Sequence, residues 1–371
     1  MSNLRNKIAI CHQTFAAGDA IGNDIAGMYR LLDAMGFEPV VLCEHNPQGL
    51  NHYRISHCFN AKDVRRYSLI IYHHSQYWEE GEKLIEACDV PLVFKFHNIT
   101  PARYFKPYAT CQADACQKGE EMTRRLTQLG KPHQWLSDSE FNRQQLVAAG
   151  IALDSITVVP PFNRSDNLIK HHNEAVYGAS MVDILFVGRF VPNKGHLHLL
   201  HVVKALVSNF PLAVRLLIAG ARPPELNGYY QGFVDLTCQL GLQSSVRVLP
   251  YLPEQDLDNL FKHSHVYLCC SEHEGFCVPI IEAQAVGLPV IGTGAGGKSE
   301  TAGPQQLISN VPATAEDYLF YARLIFSVCS DAALRAQIVK QGYSNVFNRF
   351  TTETIENRLI GAILPLLKAL A

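Results

Sequence analysis

Charge is scarce in this sequence: 18% of its 371 residues are charged and the formal net charge at pH 7 is −2. A balance so near zero excludes a whole-molecule basic field, and with it long-range attraction to nucleic acid. Residues 1–165 hold 17 Lys and Arg against 17 Asp and Glu, so the balance does not conceal two halves of opposite sign. Long apolar runs are also missing. No window of about 18 apolar residues occurs, which removes the usual signature of a membrane-spanning helix. The opening MSNLRNKIAICHQTF enters a short apolar strand without the long apolar core of a secretory leader, so a cytosolic protein is expected. The eleven cysteines, an odd number, sit in apolar segments such as VVLCE and VYLCCSE. That is where small buried hydrophobes belong in a reducing compartment. Cys111 and Cys116 lie five apart, yet no second Cys pair or His pair completes a zinc set.

What is abundant is apolar material, at 47% of the residues, in a chain too long for one ordinary core. The first half alternates apolar runs (KIAICH, EPVVLCE, SLIIYHH, PLVFKFHN, HQWLSD, ITVVP) with amphipathic stretches such as DIAGMYRLLDAMG and EEGEKLIEACD. Continuous apolar strands separated by helices predict a parallel sheet covered on both faces. Residues 163–180 lose all periodicity and read as a linker. A second alternation follows: VDILFVGR, AVRLLIAG, SVRVLP, HVYLCCS and LPVIG. The chain closes on one more amphipathic helix, FTTETIENRLIGAILPLLKALA. The expected architecture is α/β, with two doubly wound domains over residues 1–165 and 166–351 and a final helix, 352–371, packing back on the first. Ligands of such sheets gather at the carboxyl ends of strands, which places the expected site in a cleft between the domains.

Within the second domain, Gly292 to Ser299 spell GTGAGGKS, a letter-for-letter match to the phosphate-cradling P-loop. Its context argues against that chemistry. The loop follows what reads as the last strand, and the ETAGPQQLISN after it promises no good helix at Lys298. Nor does a strand of this second alternation end in the Asp that would hold magnesium: they end in Gly-Arg, Ala-Gly, Pro-Tyr and Ser-Glu. Asp256 and Asp258, the one Asp-x-Asp, open a helix after Pro253, where the helix dipole favours acids. A P-loop-type NTPase is therefore the lesser reading. Just upstream, Glu274 and Glu282 are separated by seven residues. If helical, that spacing spans about 12 Å, wider than the roughly 5–9.5 Å of paired glycosidase carboxylates. It suits two hydroxyl-binding groups at opposite ends of one elongated ligand.

The segment EHEGFCVPIIEAQAVGLPV resembles the E-x7-E region of retaining GT-B glycosyltransferases of the large GT4 family. FVGRFVPNKGHLHLL is similar to that family's G-R-x(n)-K-G phosphate segment, and GGKSE to its G-G-x-x-E. The resemblance implies a GT-B fold, two Rossmann-like domains facing a cleft, with GTGAGGKS as a glycine turn near the donor. It implies that Arg189 and Lys194, after the strand DILFVG, clamp a diphosphate in place of a metal, so that no metal and no cofactor are needed. By the same analogy Glu282 accepts from ribose hydroxyls and Glu274 lies beside the transferred sugar. Backbone amides of Gly275, Phe276 and Cys277 would serve sugar and phosphates, Cys277 standing where the family often has Gly. His97, closing the strand VFKFHN, matches a residue that contacts the donor sugar; His73 and His74 close another strand. In the loop AAGDAIGND, Gly22 is the carried-over phosphate-loop glycine, and Asp19 is a candidate to orient the acceptor hydroxyl. PARYFKPY, with Arg103, Tyr104, Phe105 and Lys106, reads as a loop, its alternative being a weak peripheral contact with a membrane surface or lipid carrier. The expected partners are a nucleotide-sugar donor, such as a UDP- or GDP-sugar, and a carbohydrate or lipid-linked acceptor. A non-catalytic nucleotide-sugar-binding subunit is the third reading, and the intact Arg189, Lys194, Glu274 and Glu282 argue against it.

Overall fold

Among the described residues, thirteen strands arrange themselves into two all-parallel sheets. They belong to a computed structural model that describes residues 6–16, 18–57, 61–130, 133–175, 177–178 and 181–370. Ala17, Cys58 and residues 176, 179 and 180 of the expected linker lie outside the described residues. The chain divides into two units. The first comprises Met1–Ala102, Asp114–Asn163 and Thr352–Ala371; the second comprises Arg103–Ala113 and Arg164–Thr351.

The first unit carries β1 (Lys7–Cys11), β2 (Glu38–Leu42), β3 (Ile55–Ser56), β4 (Leu69–His74), β5 (Leu92–Phe96), β6 (Gln134–Ser137) and β7 (Ile156–Val158). Every residue of β4 and β5 is buried, which requires cover on both faces and explains their unbroken apolar runs. The order is β3-β2-β1-β4-β5-β6-β7. Direction of winding reverses between β1 and β4, and a crevice at their carboxyl ends is where such sheets bind ligands. Helix Ala20–Ala34 turns Ile25, Met28 and Leu32 inward, the three-four spacing of one helical face. Helix Thr352–Leu370 presents Ile355, Leu359, Ile363 and Leu367 to the same core.

The second unit holds β8 (Met181–Val187), β9 (Ala213–Ala219), β10 (Val246–Leu249), β11 (Val266–Cys269), β12 (Val290–Thr293) and β13 (Leu307–Ser309). Their order is β10-β9-β8-β11-β12-β13, so the reversal falls between β8 and β11. Among the described residues no helix is long and apolar enough to cross a membrane.

Several local expectations are overturned. GTGAGGKS does not follow the last strand, because β13 comes after it and pairs with β12. A helix does begin at Lys298, running Lys298–Ala302; it stops after five residues because Gly303 turns to φ +75°. The stretch read as a linker opens with a helical turn, Ser165–Leu168, whose Leu168 is wholly buried in the second core. PARYFKPY is no free loop. Ala102–Tyr104 form a 3₁₀ turn and Phe105 is buried, and the segment from Arg103 groups with the second unit although its neighbours in sequence belong to the first.

Candidate functional site

In the first unit, pairing of β4 with β5 sets His73 opposite Lys95 and His74 opposite Phe96. Successive strand residues face opposite sides, so the two histidines part company. His74 lies 2.8 Å from Thr123 Oγ1, and burial pushes its pKa down to about 3. His73 turns to the other face, its Nδ1 2.8 Å from His97 Nε2. His97, one residue past β5, places Nδ1 2.8 Å from Asp138 Oδ2, and its side chain is 4% exposed. The other Asp138 oxygen is 2.9 Å from the buried Lys95 ammonium, which also donates to the Val159 carbonyl. Burial alone would raise the Asp138 pKa; the neighbouring His97 and Lys95 outweigh it and hold the acid below its ordinary value. A carboxylate can only accept, so a neutral His97 carries its proton on Nδ1 and accepts at Nε2 from His73.

Asp24, on helix Ala20–Ala34, completes the group. Its Oδ1 accepts from the Phe162 amide at 2.9 Å. Among the described residues its Oδ2 has no hydrogen bond, and it lies 3.7 Å from both His73 Nδ1 and His97 Nε2. Burial raises the Asp24 pKa and lowers that of His73. Asp19 stands at the cap of the same helix, exposed; its carbonyl accepts from the Asn23 amide at 2.9 Å, and among the described residues its side chain makes no hydrogen bond. At Gly22 a Cβ would fall 1.9 Å from the Ala16 carbonyl oxygen. Only glycine lets the helix approach the loop after β1 so closely.

In the second unit, Arg189 and Lys194 follow β8, but they differ. Arg189 is exposed and forms no ion pair among the described residues. Lys194 ends the 3₁₀ turn Pro192–Lys194 and places its ammonium 2.7 and 2.8 Å from the two oxygens of Glu274. Gly195 makes this approach possible: at φ +68° its Cβ would lie 2.2 Å from the Cys270 carbonyl oxygen. Burial opposes both charges, yet each holds the other: the Lys194 pKa rises and the Glu274 pKa falls. Two residues carried over for separate duties are thus one half-buried pair.

Glu274 sits in the loop between β11 and helix Val278–Val286. The helical span inferred from the glutamate spacing therefore does not exist. The helix starts late because Cys277 adopts φ +85°, ψ +68°, a left-handed conformation that costs a non-glycine residue about 1–3 kcal/mol. The Cys277 Sγ lies 4.0 Å from that of Cys269, whose pKa falls to about 6 as it accepts the neighbouring thiol's hydrogen bond. Phe276 is buried edge-on against Phe350, so only its backbone can meet a ligand; Gly275 beside it is half-buried.

The glycine turn supports this loop. Gly296, at φ +72°, would bring a Cβ within 2.0 Å of the Glu274 carbonyl oxygen, and the Gly297 amide donates to that oxygen at 2.9 Å. Lys298, the P-loop lysine by spelling, is wholly buried and donates to the Ser271 carbonyl. Thr301 Oγ1 donates to the Phe276 carbonyl at 2.6 Å. The motif's work is to hold the Glu274 loop.

Glu282 lies in mid-helix, its Oε1 3.0 Å from Arg164 Nε. The Arg164 guanidinium also reaches Asp258 at 2.9 Å and Glu254 at 3.2 Å. Burial raises the Glu282 pKa in spite of this cation. Sequence reasoning missed Arg164 entirely. Asp258, from the Asp-x-Asp, is engaged in this cluster, and Asp256 is exposed. Tyr104 places its ring 6.3 Å from that of His273, while Arg103 stacks over Tyr104 at 4.9 Å; Lys106 is exposed. Among the described residues, two groups bring three potential metal ligands within 4.8 Å of one another: Asp24 with His73 and His97, and Cys269 with Glu274 and Cys277. Cys111 and Cys116 belong to neither.

Comparison with known proteins places the fold. Residues 179–345 match the family Glycosyl transferases group 1. A D-inositol 3-phosphate glycosyltransferase of Saccharomonospora viridis is 30% identical over 236 residues, 60% of this chain and 54% of that protein. One from Nocardia farcinica is 26% identical over 300 residues, covering 77% and 63%. The chain thus spans between about half and two thirds of the length of these relatives. The Anabaena protein HepE, solved in complex with UDP and glucose, superposes with a TM-score of 0.74 at 18% identity, covering 97% of this chain and 99% of that one. The shared fold is GT-B.

Proposed function

We propose that this chain, a GT-B protein whose residues 179–345 belong to the glycosyl transferases group 1, moves a hexosyl group from a nucleoside diphosphate sugar to a hydroxyl acceptor. The observation that carries the reading is the half-buried Lys194–Glu274 pair at the β8/β11 reversal. When the bond from the anomeric carbon to the diphosphate breaks, negative charge grows on the leaving oxygen. Lys194, partly desolvated, and Arg189, exposed and without an ion pair among the described residues, stabilise that charge without a metal ion. Glu274 keeps both oxygens on Lys194, which orients it toward sugar hydroxyls and makes it a poor nucleophile. Retention then comes from same-face attack assisted by the departing phosphate. His97, fixed by Asp138, would meet the sugar, and Glu282 the ribose. Gly22 and the amides of Gly275 to Cys277 would serve the phosphates, and Asp19 would orient the acceptor. The UDP and glucose bound by HepE favour a UDP-sugar, with GDP-mannose as the second donor to try. The relatives' names favour a polyol phosphate acceptor; a glycan or lipid-linked acceptor of polysaccharide assembly, met at the cytoplasmic membrane face, is the wider class.

A panel of UDP-, GDP- and ADP-sugars, followed by thermal shift and by transfer to D-inositol 3-phosphate and glycan acceptors in EDTA, tests this. One donor should stabilise the protein and turn over in the chelator. An absolute need for magnesium or manganese overturns metal independence. Two variants divide the roles. Glu282→Gln should weaken the free nucleoside diphosphate by roughly 1–3 kcal/mol in calorimetry. Glu274→Gln should leave that affinity nearly unchanged while transfer falls by a larger factor. Equal losses of nucleotide affinity in both would refute the division.

A further inference from the structure

Cys277 holds a left-handed backbone that glycine would hold without strain. What the side chain gains there is a partner: Cys269 Sγ at 4.0 Å, with a Glu274 oxygen in the same cluster of donors. We propose that Cys269, Cys277 and Glu274 form a binding site for one thiophilic divalent cation of the zinc type. Tetrahedral zinc with bonds of about 2.3 Å sets two thiolate sulfurs roughly 3.8 Å apart, so the observed pair needs almost no movement. Two sulfur ligands exclude magnesium and calcium, which take oxygen.

The surroundings suit the charge. Two thiolates and a carboxylate around a dication leave one negative charge, and the ammonium groups of Lys194 and Lys298 act directly on Glu274. Glu274 can turn one oxygen to the cation while Lys194 keeps the other, as hydrogen-bonded ligating carboxylates do. A cation held there occupies the carboxylate assigned above to the sugar and therefore inhibits. That consequence rests on the proposed function; the binding itself does not.

The test is titration of the reduced full chain with Co²⁺ in the absence of nucleotide, read by sulfur-to-cobalt charge-transfer absorption. A band saturating at one equivalent, and abolished by added Zn²⁺, is expected. It should be lost in Cys277→Gly, which suits the backbone, and in Cys269→Ala, and kept in Cys111→Ser, an exposed site. Circular dichroism confirms that each variant is folded; if Cys277→Gly is not, Cys269→Ala decides. A band that survives in the folded variant, or no band in wild type with its thiols shown to be free, overturns the assignment. These outcomes do not depend on whether any sugar is transferred.

Discussion

His196 shows at the scale of one residue how burial sets pH dependence. Its ring is fully buried, stacked on Phe190 at 4.0 Å and edge-on to Phe186 and Phe233, and among the described residues its Nε2 has no hydrogen-bond partner. Burial, aided by the Lys194 charge, pushes its pKa from 6.5 to about 3. Between those values the unfolded chain binds a proton that the folded chain refuses, so stability falls as pH falls. The slope approaches about 1.4 kcal/mol per pH unit from this residue. His74 acts with the same sign; Asp24 and Glu282, whose pKa values burial raises, act with the opposite one. His196→Phe should fit the aromatic surroundings, match or exceed wild-type stability at pH 7, and flatten the loss measured by urea unfolding from pH 6.5 to pH 4. Parallel curves for the two proteins would show that His196 is not the titrating group. Residues at this scale were legible in sequence only where a motif named them. Lys194, Glu274 and Glu282 were visible. Arg164 was not, because its partners Asp258 and Glu282 lie 94 and 118 residues away and its own segment carries no pattern.

At the scale of elements, what the sequence disclosed depended on length and burial. Strands of four or more residues show as apolar runs. The two-residue β3 is too short to show a pattern. The three-residue edge strand β7 was visible because it lies in the apolar run ITVVP, whereas β13 is nowhere fully buried and sits among polar residues in QQLISN, so the glycine turn was read as following the last strand. The start of helix Val278–Val286 was hidden for another reason: a cysteine in a left-handed cap violates the local preference that sequence reading relies on. Glycines make the same point testable. Gly232, within helix Asn227–Gln239, has nothing within 4 Å of a built Cβ. Gly232→Ala should therefore stabilise the protein by about 0.5–1 kcal/mol through helix propensity. Gly296→Ala puts its Cβ on the Glu274 carbonyl at a positive φ. It should destabilise by more than about 1 kcal/mol, and should lower transfer further by moving Glu274. Denaturant melts of both variants decide, and a stabilising Gly296→Ala would remove the turn from its supporting role.

For the whole molecule, the chain builds the first unit, lending Arg103–Ala113 to the second on the way, then builds the second, and returns to the first through helix Thr352–Leu370. The amphipathic pattern of that helix was legible; its destination follows from the core it fills. Ile355, Leu359, Ile363 and Leu367, spaced by four, are buried with Ile8, Ile10, Leu69 and Leu136 of the central strands. Full burial of each such side chain contributes roughly 1.5–3 kcal/mol, so the four together contribute about 6–12 kcal/mol. That is comparable with the roughly 5–15 kcal/mol by which a folded domain exceeds its unfolded state. Ending the chain at Thr351 should therefore unfold the first unit while sparing the second, whose buried core reaches no further than Phe350. Limited proteolysis should cut the truncated protein readily within residues 6–102 and 114–163 and leave 164–351 resistant. A milder variant, Leu359→Ala, should cost about 2–5 kcal/mol and lower the transition of the first unit alone. If truncation left both regions equally protected, or melted both together, the helix would not be the final piece of the first core.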